Sequence, residues 1–239
     1  MPSLPPQRRR PNLILGAVAD IHGNFEALGR AMARHPEVLD WLCVGDLASR
    51  TGTYPQPDKP LYWIKGNNED FDRVAAFAAG TETVRNLHYI PNGTSTPVGG
   101  LIVAGLGGTF APTWFTTPAA RLPHTPRDDK RRHFVSEEVD ACKRLGKVDV
   151  LMTHEAPRPF ILVDEPSPGA RPRRRDAGKP AINDVLATLK PRLHLCGHHH
   201  RFIEAVREGV RSVCIDRINR SYLLIDTRTL EYEKIDQAA

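Results

Sequence analysis

Five apolar runs in this chain stop on residues that bind cations. Leu13-Ile-Leu-Gly-Ala-Val-Ala19 ends in Asp20-Ile-His22, and Trp41-Leu-Cys-Val-Gly45 ends in Asp46. Leu61-Tyr-Trp-Ile-Lys-Gly66 ends in Asn67, Val148-Asp-Val-Leu-Met-Thr153 in His154, and Leu193-His-Leu-Cys-Gly197 in His198-His-His200. Apolar runs of this length read as buried strands. In an open α/β sheet the crevice at the carboxyl ends of the strands is where ligands bind. The five ends therefore meet if their strands are neighbours. Asp20 and His22 are two residues apart, as are His198 and His200, so on extended chain each pair leaves one face. Taken singly, an Asp-x-His is a surface pair, a Gly-Asp is a turn and His154 is a satisfied core histidine. Five repetitions at strand ends point instead to a metal centre.

Asp20, His22, Asp46, Asn67, His154, His198 and His200 are too many ligands for one ion that keeps a substrate position open. With Asp46 bridging they divide into two sets of four. Imidazole, carboxylate and amide ligation without sulfur suits Mn or Fe, and also Zn, Ni or Co, whereas Mg and Ca prefer oxygen alone. Two such ions, about 3.5–4 Å apart, clamp the attacking and leaving oxygens of a phosphoryl-transfer hydrolysis.

The elements that must carry these ends follow from the pattern between them. Leu13–Ala19, Val38–Val44 and Leu61–Lys65 read as strands, with Phe25–Arg34 and Phe71–Ala79 as helices. Thr94–Val98 and Leu101–Ala104 read as a hairpin across Gly-Gly. Residues 110–133 are proline-containing and aperiodic, a long excursion of the kind that carries function. Ser136–Leu145 reads as a helix capped by Ser136, Val148–Met152 as a strand, Ile182–Leu189 as a helix and Leu193–Cys196 as a strand. From Arg201 to Ile235, alternation suggests three or four antiparallel strands. The expectation is a tail over residues 1–11 and one α/β domain over residues 12–239, more antiparallel toward its C-terminus.

The chain has 239 residues, 40% of them apolar, and a net charge of +5, enough for a sizeable core and mildly suited to an anionic ligand. Cys43, Cys142, Cys196 and Cys214 lack CxxC spacing and read as reduced thiols. Residues 1–10 carry charge without an apolar h-region, and no segment has the length and apolarity of a membrane span, so a cytoplasmic protein is expected.

The motifs resemble those of the calcineurin-like metallophosphoesterase family: D-x-H in Asp20-Ile-His22, GD in Gly45-Asp46, GN(H/N/C)(D/E) in Gly66-Asn-Asn-Glu69, then His154, and GHxH in Gly197-His-His-His200. The resemblance implies a four-layer α/β/β/α sandwich of two mixed sheets. It also implies that Asp20, His22, Asp46 and His200 hold one metal, and Asp46, Asn67, His154 and His198 the other. Val103–Phe110, Arg132-His133 and Thr153–Arg158 are similar to the lariat-debranching branch, which ordinarily carries a histidine after its Gly-Asn.

By the same resemblance, a hydroxide shared by the metals attacks phosphorus in line, and a histidine at position 68 would serve the leaving group. Asn68 offers only a neutral hydrogen bond. Glu69 then either loses an orienting role or braces its loop. His199, His133, His124 and His88, in that order, are the replacement proton donors to consider. A dinuclear phosphodiesterase acting on a nucleotide or nucleic-acid ester with an easy leaving group is the expected function. A phosphomonoesterase and a non-catalytic scaffold are the rivals. Arg50 and Arg158 follow two motifs by four residues, either to bind phosphate bidentately or to form surface ion pairs. Gly105–Gly108 lacks the Lys-Ser/Thr of a P-loop and reads as a tight turn. Trp114 and Phe115 read as core or lid, and Arg171–Arg175 as a solvated loop or a nucleic-acid contact.

Overall fold

The computed structural model describes residues 13–125, 128–163 and 174–237. Twelve strands form two six-stranded mixed sheets. The first contains β1 (Ile14–Val18), β2 (Asp40–Cys43), β3 (Leu61–Trp63) and β4 (Leu87–Tyr89). The second takes β5 (Thr94–Val98), β6 (Leu101–Leu106), β7 (Val150–Thr153), β8 (Leu193–Cys196), β9 (Ile203–Arg207) and β10 (Val210–Cys214). β11 (Ser221–Asp226) and β12 (Tyr232–Asp236) return to the first sheet. The spatial orders are β12-β11-β1-β2-β3-β4 and β9-β10-β8-β7-β6-β5. β1 to β4 run parallel to one another, as do β6, β7, β8 and β10.

Alternation along the strands explains the layers. Leu15, Ala17 and Ala19 face Val150, Met152, Leu193 and Leu195 in a core shared by both sheets. The opposite face of the first sheet, with Val18, Trp41 and Trp63, is covered by α1 (Phe25–Arg34) and α2 (Phe71–Ala79). The opposite face of the second, with Ala104 and Leu151, is covered by α3 (Ser136–Lys143) and α4 (Pro180–Leu189). The result is the α/β/β/α sandwich. Strands apolar on both faces have no reason to alternate in sequence, which is why they read as continuous runs.

Local chemistry sets the helix ends. The Asn24 side chain accepts from Ala27 N and caps α1; Asp70 accepts from Asp72 N and Arg73 N and caps α2, which ends at left-handed Gly80. Ser136 is not the cap of α3. That position is Val135, whose backbone N–H donates to the Glu138 carboxylate reaching back from the third helical residue. β4 adds to the expected strands: three residues beside an Asn-Leu turn carry too little pattern to read. Among its described residues, the 110–133 excursion holds two-residue strands and single 3-10 turns. Phe115 packs with Phe110 and Phe134, while Trp114 lies under the Lys130 ammonium. The four cysteines are free and buried. The residue 1–11 tail and Arg171 to Arg173 lie outside the described residues.

Candidate metal centre

The five strand ends do meet, but not along one sheet. Asp20, Asp46 and Asn67 follow β1, β2 and β3; His154 and His198–His200 follow β7 and β8 of the facing sheet. Two bonds lock the halves together: His154 Nδ1 donates to Val44 O at 2.8 Å, and His198 N donates to Asp20 Oδ2 at 2.9 Å.

The backbone at these residues is not extended. Asp20, His22, Asp46, His198 and His200 all have positive φ, between 47° and 67°. Each such residue costs about 1 kcal/mol or more, so the spacing of two works through tight left-handed turns and not through a strand face. Close approach of the acidic groups also fixes the neighbouring glycines. A Cβ on Gly66 would stand 2.0 Å from Asp46 Oδ1, and one on Gly45 would stand 2.6 Å from His154 Nδ1.

The donor set divides into two groups that share Asp46. Asp20, His22, Asp46 and His200 bring ligand atoms within 4.8 Å of one another, and so do Asp46, His154 and His198. In the first group His200 Nε2 lies 3.3 Å from Asp20 Oδ1 and 3.2 Å from His22 Nε2, which is 3.6 Å from Asp46 Oδ2. Asp20 Oδ1 is buried without a hydrogen-bond donor. In the second group His154 Nε2 faces Asp46 Oδ1 at 3.5 Å and Asn67 Oδ1 at 3.1 Å. Because Nδ1 of a neutral His154 must donate to a carbonyl, its Nε2 carries a lone pair. Imidazole nitrogens and carboxylate oxygens converging on one point fit a cation. The residues present therefore suit two metal ions, and the borderline ligand set suits first-row transition ions.

Electrostatics agree. Burial disfavours the Asp46 carboxylate, but facing His154 and the Asn68 hydrogen bonds outweigh it and lower its pKa. Burial lowers His22, with His200 and Arg217 acting in the same direction, and lowers His198 to about 4. Both rings are thus neutral near pH 7, the form that ligates. For His154 burial is outweighed by Asp46 and Asp20, and its pKa is raised. The proton held between His154 and Asp46 is one that a cation displaces.

Asn68 lines the cleft, but its amide is engaged by Asp46. Its backbone N–H donates to Asp46 Oδ1 at 2.8 Å and its Nδ2 to Asp46 Oδ2 at 2.7 Å. Glu69 braces the loop: it accepts from Leu47 N, Ala48 N and Gly66 N. Burial, with Asp46 nearby, raises its pKa to about 7.

Beside the first group opens a cleft of about 1040 Å³, lined by His22, Asn67, Asn68, His124, Arg50 and Arg217 among others. Of the four histidines considered as proton donors, His124 alone lines it. His199 turns away, stacked on Phe160 at 4.4 Å and facing Glu155, and burial lowers its pKa to about 3. His133 bonds Thr109 Oγ1, and His88 stacks on Tyr62. Arg50 is on the cleft wall, whereas Arg158 Nε pairs with Asp176 Oδ2 at 2.7 Å and does not line it. Gly107 is a close-packed turn on Lys65, where a Cβ would stand 2.3 Å from Lys65 O.

Sequence reading missed two contributors. Lys65, buried at the end of β3, donates from Nζ to Arg131 O and His133 O and so ties the excursion to the Asn67 loop. A lysine inside an apolar run was the available signal. Arg217, in the segment between β10 and β11, sits beside Ala19 through a parallel bridge and lines the cleft. No motif marks it.

The lariat debranching enzyme of Schizosaccharomyces pombe is 26% identical over 155 residues, 60% of this chain and 34% of that protein, so this chain spans about a third of its length. The lariat debranching enzyme of Entamoeba histolytica is 22% identical over an alignment of 266 residues, covering 92% of this chain and 75% of that one. A solved structure from Thermus thermophilus matches with a TM-score of 0.62 at 15% identity over 94% of this chain and 99% of that one. A putative 5′-nucleotidase from Staphylococcus aureus matches with a TM-score of 0.52 at 13% identity over 95% of this chain and 55% of that one. At such identities the structural likeness is one of fold. The model of the calcineurin-like phosphoesterase family matches residues 15–202, across all seven candidate ligands, and the chain belongs to that family.

Proposed function

We propose that this chain is a phosphodiesterase that holds two divalent metal ions, Mn or Fe, through Asp20, His22, Asp46 and His200 on one side and Asp46, Asn67, His154 and His198 on the other. The observation that carries the reading is the pair of donor groups sharing Asp46, beside a cleft that His22 and Asn67 line. Ions held there lower the pKa of water and neutralise phosphate oxygens.

The chain's own residues supply position and charge. Asp46 spans both groups, and Asn68 fixes its carboxylate by two hydrogen bonds. Arg50 on the cleft wall binds the phosphate being cleaved, where a guanidinium can make two parallel bonds. A diester is favoured over a monoester for two reasons. The Asn68 amide is committed to Asp46, so no imidazole stands beside the ligands to protonate a poor leaving group. Two relatives are lariat debranching enzymes, which supports a nucleotide or nucleic-acid diester. His124, on the cleft wall and outside the ligand set, is the imidazole from which a leaving group can take a proton.

The Mn-loaded protein should hydrolyse bis(p-nitrophenyl) phosphate with kcat/KM roughly tenfold or more above that for p-nitrophenyl phosphate. Preference for the monoester, or hydrolysis of neither, would refute the reading.

A further inference from the structure

Charge along the cleft is unevenly neutralised. Four arginines line it, Arg50, Arg131, Arg132 and Arg217. Arg131 is taken up by Asp129 and Asp72, and Arg132 by Asp128. Among the described residues no carboxylate lies within ion-pair distance of Arg50 or Arg217. For Arg217 this is notable because Asp216 precedes it. One Asp216 oxygen accepts the Arg217 backbone N–H and the other faces Arg220 at 3.6 Å, so Asp216 is turned to other partners than the Arg217 guanidinium.

The backbone of Arg217 is held in place. The parallel bridge to Ala19 and the Ile218 N to Ala19 O bond at 3.1 Å set it one residue from Asp20, beside the open metal group. A guanidinium carried on this fixed backbone and lining the same cleft as His22 attracts an anion, and the phosphate being cleaved is bound by Arg50 in the reading above. We propose that Arg217 binds a second phosphate of the substrate, adjacent in the molecule to the one that is cleaved. Among the described residues the far wall, where Asp72, Asp128 and Asp129 pair with Arg131 and Arg132, offers no further free cation, so the unit proposed is one scissile phosphate and one neighbour.

This rests on the phosphodiesterase reading, and the test separates the two through binding. Thymidine 5′-monophosphate, thymidine 3′,5′-bisphosphate and a thymidine 5′-phosphate whose 3′-phosphate links a second nucleoside are titrated calorimetrically into Mn-loaded wild-type, Arg217→Gln, Arg217→Lys and Arg50→Gln protein. The bisphosphate should bind wild type roughly tenfold more tightly than the monophosphate, as expected for one charge-assisted contact. In Arg217→Gln that ratio should fall to about one, in Arg217→Lys it should be partly kept, and in Arg50→Gln both ligands should weaken with the ratio intact. An advantage confined to the bisphosphate identifies a terminal phosphate as the natural partner; an equal advantage for the dinucleotide identifies an internal strand phosphate. A wild-type ratio near one, or a ratio unchanged in Arg217→Gln, overturns the proposal even if diester hydrolysis is confirmed. Absent hydrolysis with an Arg217-dependent ratio would instead refute the reaction and keep the site.

Discussion

The two halves of the metal centre are built to different standards of enclosure. In the half made of Asp20, His22 and His200, the histidine side chains are 28% and 31% exposed, and His22 lines the cleft. In the half made of His154, Asn67 and His198, the His154 side chain is 0% exposed, and its ring is fixed by Val44 O. Beneath it, Ser212, His194 and Thr153 form a buried hydrogen-bonded chain that ends on Glu155 O. A ligand whose second nitrogen is held by a carbonyl is pre-aimed, so little order is lost when an ion binds. The difference separates His154, a buried and pre-aimed ligand, from His22 and His200, which meet solvent: the half built on His154 should hold an ion more tightly and release it more slowly.

Removing the shared residue should erase the distinction. Asp46→Asn is expected to lower phosphodiesterase activity by roughly 10³-fold, the upper range for loss of one preorganised charged group. It should also reduce the metal content on both sides. Elemental analysis of the purified variant is the check, and one fully retained ion per chain would show that Asp46 does not bridge.

Single-side substitutions should reveal the asymmetry. His22→Ala is expected to lose the open-side ion and leave about one per chain. His154→Ala should lose the buried one and also destabilise the fold, since it leaves Val44 O without this donor and removes the imidazole that faces Asp46. Affinity losses of roughly 10–100-fold or more are expected on the affected side. Isothermal titration of the metal-free variants with Mn decides this. Equal affinities of the two remaining sites would end the argument from enclosure.

The same asymmetry governs what the chain reveals before its structure is known. Apolar runs and their terminal residues are local, so strands β1, β2, β3, β7 and β8 and the seven candidate ligands that follow them were legible. That the runs belong to two sheets was not contained in any run; it came from the family resemblance. The left-handed φ of Asp20, His22 and Asp46 was hidden, because side-chain spacing looks alike on a strand and on a tight turn. Arg217 was hidden because its relation to Ala19 is a long-range bridge. His199 looked like a donor from its place in the motif, yet burial against Phe160 and Glu155 is a tertiary fact. Arg50 and Arg158 had the same signal, and only packing separates a cleft wall from an ion pair with Asp176.

At the junction of the halves, Asn68→His tests how much the missing imidazole matters. The substitution removes the Nδ2 bond to Asp46 Oδ2 while offering a titratable group beside both ions. Glu69, committed to three backbone N–H groups, cannot orient the new ring. The gain on alkyl diesters should therefore stay near tenfold, at or below the low end of the range for general acids. Aryl diesters, which need little protonation, should gain less. The ratio of the two rates is the readout, and an unchanged ratio would mean that leaving-group protonation does not limit this site.

The smallest expected effect lies under the buried half and concerns pH. Full burial lowers the pKa of His194 from 6.5 to about 3. Thr153 Oγ1 donates to Glu155 O, so it accepts from His194 Nε2, and Nδ1 accepts from Ser212; the ring is held neutral and saturated. As pH falls below about 6.5 the unfolded chain takes up this proton before the folded one does. The His194 contribution is thus fully present above about 6.5 and is lost toward about 3, with a slope of at most about 1.4 kcal/mol per pH unit. His194→Gln keeps polar atoms in place but does not titrate. Urea unfolding of both metal-free proteins between pH 4 and 8 should show the wild type more stable at neutral pH and the gap closing in acid. A gap independent of pH would mean that His194 is charged or solvated in the folded chain. The buried half would then lack the dry support from which its tighter metal binding was argued.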